Sequence, residues 1–131
     1  MENSNTATGT SPRLRLRLLF AEDAMLGPGK VDLLEKIRET GSIAAAGRAM
    51  SMSYKRAWSL VDQMNSAFQE PLVQRVRGGA NGGGAQLTNT GAQVLEHFRK
   101  LEDIAAEAGA ARINAIQAML RDAPTDPDEA G

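Results

Sequence analysis

Apolar and polar positions change their spacing several times along the 131-residue chain, and each change marks a predicted element. From Arg13 to Leu18, arginine and leucine alternate strictly, which predicts a half-buried edge strand with leucines on one face and arginines on the other. The arginine row has two interpretations: a solvated row that discourages aggregation, or a set of contacts to DNA or a partner.

Three helices are predicted after the break at Gly27-Pro28-Gly29, where Pro28 is well placed to start the first of them and Gly41 to end it. Its apolar positions are Val31, Leu33, Leu34 and Ile37. Ser42 caps a short second helix, whose small residues Ala44, Ala45, Ala46 and Gly47 would let another helix approach closely. Ser53 caps the third helix, whose predicted buried face is Tyr54, Ala57, Trp58, Val61, Met64 and Phe68.

A hairpin and a long helix complete the pattern. Leu72 to Arg77 and Gln86 to Thr88 are predicted strands, joined by the glycine-rich tip Gly78 to Gly84. The fourth helix begins near Thr88 or near Thr90, which could form a capping box with Gln93, and both alternatives stay open. The apolar stripe slips by one residue after Gly109, which predicts a kink or break. The stripe consists of Val94, Phe98, Leu101, Ala105, Ala108, Ile113, Ile116 and Leu120.

These elements predict a mainly α fold with a small β-hairpin wing, namely a winged helix-turn-helix followed by a long C-terminal dimerisation helix. The apolar stripe of the last helix could bury against its own domain, but the helix is longer than a small core needs, and this favours pairing with a second copy. The predicted organisation is a disordered N-terminus at 1–12, the winged helix-turn-helix at 13–91, the dimerisation helix at 92–121 and a disordered acidic tail at 122–131.

The distribution of charge changes the interpretation of a formal net charge of −1. Residues 42–91 carry five basic side chains against two acidic ones, whereas residues 92–131 carry four basic side chains against eight acidic ones. A basic middle beside an acidic C-terminal part is typical of a DNA-facing segment with a tail held away from phosphates.

A recognition helix must bury one face and leave the other free to enter the major groove, which is about 12 Å wide. The free face of the third helix carries Lys55, Arg56, Ser59 and Gln63. Its N-terminus at Ser53 also offers backbone N–H groups to a phosphate. Tyr54 and Trp58 are expected mainly to pack in the core, and DNA contact is the second interpretation of Tyr54. A solvated surface is the rival interpretation of Lys55 and Arg56. The candidate DNA-binding residues are Ser42, Ser53, Tyr54, Lys55, Arg56, Ser59, Gln63, Arg75, Arg77 and Asn81.

Composition narrows the classes of function. The chain has no cysteine and only one histidine, His97, so disulfides, cysteine nucleophiles, histidine triads and multi-histidine metal sites are excluded. We therefore expect neither an enzyme nor a protein with a metal or cofactor. No apolar run approaches the roughly 20 residues of a membrane span. Because the first residues also lack a signal pattern, we expect a cytoplasmic protein.

Two stretches resemble a known family. Gly41 to Ser53 looks like the helix-turn-helix entry of LysR-type bacterial regulators. The continuation Ser53-Tyr-Lys-Arg-Ala-Trp58 with Asn65, the glycine-rich segment Gly78 to Gly84, and Leu87-Thr-Asn-Thr-Gly91 is similar to the N-terminal domain of the ModE family. That resemblance covers roughly residues 13–120. It implies a dimeric transcriptional regulator that binds a palindromic site on double-stranded DNA.

The same resemblance has a limit. ModE proteins that sense molybdate carry a C-terminal oxyanion-binding module that opens with a Ser-Ala-Arg-Asn-Gln segment, and these 131 residues contain no such segment. We therefore expect no molybdate binding. The effector could be another one, a separate effector-sensing protein could act as partner, or the chain could be cut short, although we expect a naturally short protein. The alternative function is a winged-helix module for protein–protein interaction, which would have no need of a basic middle.

Overall fold

The computed structural model describes residues 11–22, 24–77 and 84–121. The elements in chain order are β1 (Leu18–Ala21), β2 (Ala24–Leu26), α1 (Pro28–Thr40), α2 (Ile43–Ala49), α3 (Tyr54–Ala67), β3 (Val73–Val76), β4 (Gly84–Leu87), α4 (Asn89–Ala108) and α5 (Ala110–Ala118). This order confirms the mainly α fold with a hairpin wing. The disorder predicted for the first ten residues and for 122–131 lies outside the described residues, as does the hairpin tip at 78–83.

The chain divides into two compact units. One runs from Arg15 to Leu101, and the other contains, among the described residues, 11–14 and 102–121. The first unit thus contains the helix-turn-helix, the wing and α4 as far as Leu101. In the second unit, the described residues comprise 11–14, the end of α4 and α5.

Helix α1 is the centre of the larger unit. All four of its predicted apolar positions are buried, with Val31, Leu33, Leu34 and Ile37 fully excluded from solvent. Leu72, Leu95 and Phe98 pack in the same cluster. At the start of α1, Lys30 is also buried, and its Nζ donates a hydrogen bond to the carbonyl oxygen of Met25 over 3.0 Å. Burial lowers the pKa of this ammonium group below its ordinary value, because the charged form loses hydration.

An ion-pair network joins α4 to the exposed side of α1. Arg99 Nε donates to Glu35 over 3.0 Å, and Arg99 Nη2 lies 3.0 Å from Asp32. Arg15 adds a second cation 3.6 Å from Asp32. All of these side chains are about one-third to one-half exposed, so the network contributes little to the stability of the fold.

The strand predicted from Arg13 to Leu18 is wrong. Residues 12–17 form no strand, and β1 begins only at Leu18, where it pairs antiparallel with β2 through Leu18 and Leu26. Alternation describes the two faces of an extended segment, but a strand also needs a partner, and β2 ends at Leu26 just before α1 begins. The resulting β1–β2 hairpin was not predicted.

The three predicted helix caps from the end of α1 to the start of α3 are confirmed. Gly41 ends α1 in the left-handed conformation, with φ 73°, and its N–H bonds to the carbonyl oxygen of Ile37. Ser42 Oγ accepts from Ala45 N over 3.0 Å, and Ser53 Oγ accepts from Arg56 N over 3.0 Å. The N-termini of α2 and α3 are therefore set by local hydrogen bonds that the sequence already indicated.

The structure shows which threonine caps α4 and where the helix ends. Thr88 is the cap, because its Oγ1 accepts from Gly91 N over 3.0 Å and donates to the carbonyl oxygen of Pro71 over 2.7 Å. Thr90 is engaged elsewhere, on Glu70 at 2.6 Å. At the other end the helix stops at Ala108, and α5 starts after Gly109. This confirms the predicted break and divides the helix predicted at 92–121 into two.

Candidate nucleic-acid interface

A tight helix-turn-helix connects α2 to α3. A Cβ placed on Gly47 would lie 3.1 Å from Cβ of Ala57, so the backbone of α2 at Gly47 packs closely against the Ala57 side chain of α3. The turn closes through Met52 N, which donates to the carbonyl oxygen of Gly47 over 2.9 Å. Ser51 makes the reversal with a positive φ of 59°. The prediction that small residues of α2 admit a neighbouring helix is confirmed at Ala46 and Gly47, both of which are buried.

The buried face of α3 differs from the predicted one in its first turn. It consists of Ala57, Leu60, Val61 and Met64, a set that includes the unpredicted Leu60. Tyr54 is 53% exposed, so the prediction that it packs in the core is wrong, and Trp58 is only partly buried. The first turn carries these aromatic rings at the edge of the core, where they lie beside the wing.

The opposite face of α3 is polar and accessible. Lys55, Arg56, Ser59 and Gln63 are all exposed, as predicted from the helical period. Gln63 Nε2 donates to Ser59 Oγ over 3.3 Å, which joins two neutral groups on successive turns. Asp62 is exposed as well, so cationic charge is concentrated in the first turn of the helix.

The wing is fixed against the end of α1 by a backbone hydrogen bond. Strands β3 and β4 pair antiparallel, with Val73 opposite Leu87 and Arg75 opposite Ala85. Ala85 N donates to the carbonyl oxygen of Gly41 over 3.0 Å, so β4 lies against the end of α1. These contacts hold the wing beside the N-termini of α2 and α3.

Asn65 is the main link between α3 and β3. Its Oδ1 accepts from Leu72 N over 2.8 Å and from Val73 N over 3.1 Å, and its Nδ2 donates to the carbonyl oxygen of Val73 over 3.1 Å. Sequence analysis singled out Asn65 only as part of a resemblance. Its structural role was missed because Leu72 and Val73 become neighbours of Asn65 only after the chain turns back at Pro71.

The base of the wing carries an aromatic and cationic cluster that the sequence analysis also missed. The Arg75 guanidinium lies 5.2 Å from the centre of the Trp58 ring, a cation–π distance. Trp58 Nε1 donates a hydrogen bond to the Tyr54 hydroxyl oxygen, and the two rings meet edge to face at 84°. These three residues line an open cavity of about 390 Å³ between α2, α3 and the wing.

The structure brings most of the candidate DNA-binding residues together in the larger unit. Ser42 and Ser53 lie at the two helix N-termini, with their oxygens accepting the capping bonds described above. Arg75 and Arg77 are exposed on the wing. Asn81 lies outside the described residues. Contact of each of these residues with DNA stays a prediction.

The predicted dimerisation residues fall into two groups. Phe98 is 2% exposed and belongs to the core of the single chain, so its ring is not a free apolar surface, whereas Val94 is only partly buried against that core. Leu101, Ile116 and Leu120 are exposed, and Ile113 and Ala105 are partly so. Ile104, which the predicted stripe omitted, is 61% exposed.

Residues 11–22, 24–77 and 84–121 contain neither a metal-binding cluster nor a membrane-spanning helix. This part of the chain has no group of three or more histidine, cysteine, aspartate or glutamate side chains arranged to hold a metal ion. None of its helices combines the length and the apolar character needed to cross a membrane.

Comparison with known proteins agrees with this geometry. The bacterial regulatory helix-turn-helix protein family of lysR type matches residues 29–92. Among solved structures, the DNA-binding domain of CbnR, determined in complex with DNA, has a TM-score of 0.54 and 20% sequence identity, covering 67% of this chain and 95% of that one. Full-length LysG from Corynebacterium glutamicum has a TM-score of 0.53 and 23% identity, covering 72% of this chain and 30% of that one. At these identities the likeness establishes the fold.

Relatives found by sequence identify a narrower group of proteins than the solved structures do. The molybdenum transport protein ModE of Azotobacter vinelandii is 41% identical over 95 residues, which is 71% of this chain and 35% of that protein. The DNA-binding transcriptional dual regulator ModE of Escherichia coli K12 is 33% identical over 93 residues, covering 71% of this chain and 36% of the relative. The chain thus spans about a third of the length of these relatives. Residues 29–92 therefore form a bacterial regulatory helix-turn-helix domain of the lysR family, in a chain that is homologous to ModE over 71% of its length, as the residue patterns predicted.

Proposed function

We propose that this chain is a transcriptional regulator of ModE type, which binds a palindromic site on double-stranded DNA as a homodimer. The observation that carries the proposal is the first turn of α3, where Lys55 and Arg56 are exposed next to the Ser53 cap and opposite a fully apolar buried face. A helix so placed can enter the major groove without exposing its core.

The wing supports the same function. Arg75 and Arg77 are exposed on the segment that β4 and Asn65 fix beside α3. Cations at this position can reach the phosphate backbone on one side of a helix seated in the groove. Names of relatives agree with this function, since the Escherichia coli protein is described as a DNA-binding transcriptional dual regulator.

Replacing both Lys55 and Arg56 by alanine is expected to weaken specific DNA binding at least tenfold, or about 1.4 kcal/mol, without changing the unfolding temperature. Each lost phosphate contact should also reduce the slope of log affinity against log salt by about one. The measurement is fluorescence anisotropy on a duplex from upstream of the chain's own gene and on its scrambled version, at two salt concentrations.

The matched control is the double substitution of Lys100 and Arg112, which removes the same charge from exposed positions on α4 and α5. If both double variants lose affinity equally, binding depends on net charge and α3 is not the recognition helix. If the wild type shows no salt-sensitive binding to either duplex, the interaction-module alternative replaces the proposal.

We also propose that these 131 residues bind DNA without molybdate. Support comes from the sequence, which contains no Ser-Ala-Arg-Asn-Gln segment, and from the matched region, which centres on the helix-turn-helix. The same anisotropy titration with molybdate added is expected to give the same affinity. A change in affinity would instead assign an oxyanion site to this chain or to a partner copurifying with it.

Dimerisation is proposed to use the exposed apolar side chains from Leu101 to Leu120. Ile104 and Ile116 are each more than 60% exposed, and burying such a side chain contributes about 1.5–3 kcal/mol. Ile104→Glu is therefore expected to raise the dimer dissociation constant at least tenfold. Sedimentation equilibrium tests this, with Ala106→Glu as control, because Ala106 carries the same new charge to another face of α4. If both variants have the same dimer dissociation constant as the wild type, the interface lies elsewhere.

A further inference from the structure

We propose that Arg75 is a positioning residue for DNA recognition, acting through Trp58 to hold Tyr54 at the leading edge of the recognition helix. The inference rests on the proposed function and assigns a specificity role to the base of the wing. It departs from the simpler expectation that Arg75 is a free phosphate clamp.

The first step is the position of the guanidinium. Arg75 lies on β3, and its guanidinium is placed 5.2 Å from the centre of the Trp58 ring on α3. A planar guanidinium stacks on an indole face more effectively than an ammonium group does, and the indole is the best aromatic partner for it. Arg75 is thus joined to the recognition helix before any DNA is bound.

The second step leads from Trp58 to Tyr54. Trp58 lies one helical turn after Tyr54, and its Nε1 donates to the Tyr54 hydroxyl oxygen. The indole has no other donor, so this bond fixes which edge of the ring faces Tyr54. The rings meet edge to face with centroids 6.3 Å apart. Because Tyr54 is 53% exposed, nothing in the core holds its ring, and the bond to Trp58 is what orients it.

The third step is the place of Tyr54 in the interface. It is the first residue of α3, directly before Lys55 and Arg56, and recognition helices contact base edges mainly through their N-terminal residues. A tyrosine held there presents a hydroxyl that accepts from Trp58 and can still donate to an acceptor on a base or phosphate. The contacts from Arg75 to Trp58 and from Trp58 to Tyr54 therefore connect the wing to Tyr54, the residue of α3 expected to enter the groove first.

Arg77 offers a comparison within the same hairpin. It is also exposed and lies two residues after Arg75, but no stacking on Trp58 accompanies it in the structure. Loss of the Arg77 charge should affect DNA binding through the phosphates alone. The two arginines therefore separate positioning from simple charge.

The test compares Arg75→Lys with Arg77→Lys, substitutions that retain the charge and remove only the planar guanidinium. Affinity is measured on a short duplex selected from a randomised pool by the wild type, and on its scrambled version. We expect Arg75→Lys to reduce the ratio of specific to non-specific affinity about tenfold with an unchanged salt slope, as for the loss of one base-reading contact. Arg77→Lys, at a proposed phosphate contact, should change the affinities for both duplexes by the same factor and so leave their ratio within about twofold.

Two readouts separate positioning from a general loss of structure. Trp58 is the only tryptophan, so its fluorescence reports the cluster directly, and Arg75→Lys should shift its emission while Arg77→Lys does not. Tyr54→Phe, which removes the hydroxyl, should lower selectivity by a similar factor and add little to Arg75→Lys in the double variant. Unfolding temperatures should stay near that of the wild type in all of these variants.

Each contrary outcome has a distinct meaning. Selectivity in Arg75→Lys equal to that of the wild type overturns the inference and leaves Arg75 as a phosphate contact, while the proposed function stands. Additive losses in the Tyr54→Phe and Arg75→Lys double variant also overturn it, because they show independent contacts. A wild-type chain that selects no duplex overturns both the inference and the proposed function.

Discussion

Substituting Gly91 by alanine is expected to destabilise the fold more than alanine at any other glycine that the structure describes. A Cβ at this position would lie 2.1 Å from the carbonyl oxygen of Leu72 and 2.9 Å from its carbonyl carbon. Both atoms belong to the backbone that leads into β3, and Thr88 N is hydrogen-bonded to that same carbonyl oxygen over 2.9 Å. Neither Gly91 nor the Leu72 carbonyl group can move away from the other without separating α4 from the base of the wing.

The expected loss is at least about 3 kcal/mol in the free energy of unfolding, at the upper end of the range for overpacking. In a unit of this size that corresponds to a fall in the unfolding temperature of more than about 10 °C. Thermal unfolding followed by circular dichroism measures it.

Gly29→Ala is the matched control for Gly91→Ala. Gly29 lies in the first turn of α1, and a Cβ there would meet no atom within 4 Å. Alanine at this position should leave stability unchanged or raise it by up to about 1 kcal/mol, because glycine is a poor helix former. If Gly91→Ala unfolds at the wild-type temperature, the close approach of α4 to Leu72 is incorrect.

Local signals explain why so much of the fold could be predicted from the sequence. Helix caps depend on residues within one turn of each other, so Gly41, Ser42 and Ser53 identified three helix ends. The exposure of Lys55 and Arg56 could be predicted from the helical period alone, since the apolar positions of α3 lie on the opposite face of the helix. Gly109 marked the break between α4 and α5 in the same way.

The errors arise where the outcome depends on a distant residue. The alternation at Arg13 to Leu18 contains no information about a partner strand, and only β2 was available to pair. Thr90 had the spacing of a cap, but the Glu70 carboxylate takes its hydroxyl and leaves Thr88 to cap α4. Tyr54 has the helical spacing of a core residue, but the first turn of α3 extends past the apolar cluster.

In the candidate site, too, the residues set by local sequence could be predicted and the contacts between distant residues could not. Its cationic residues on α3 could be predicted, since they are exposed because of their position within one helix. The stack of Arg75 on Trp58 and the bonds of Asn65 to β3 could not, because both join α3 to a strand that returns after Pro71. Sequence therefore predicts which groups face DNA better than it predicts what holds them in place.

Asn65→Ala is expected to combine a large loss of stability with a loss of DNA binding, because it removes the link between α3 and the wing. The substitution leaves Leu72 N, Val73 N and the Val73 carbonyl oxygen without the partners they have now. Leu72 and Val73 are 0% and 4% exposed, so water replaces those bonds poorly. An unsatisfied buried group costs about 1–3 kcal/mol, and we expect a total loss of about 2–4 kcal/mol. Urea unfolding measures this loss.

A graded series identifies the cause of the Asn65→Ala effect. Asn65→Asp keeps the oxygen that accepts from Leu72 N and Val73 N but replaces the donor to the Val73 carbonyl, so its loss should be smaller than that of alanine. Ser66→Ala, at the exposed neighbouring position, should change stability by less than about 0.5 kcal/mol. At a temperature where Asn65→Ala remains folded, its DNA affinity should still fall, because all three bonds that fix β3 and Arg75 beside α3 are removed. Equal stability of the alanine and aspartate variants would mean that the side-chain oxygen does not hold the wing.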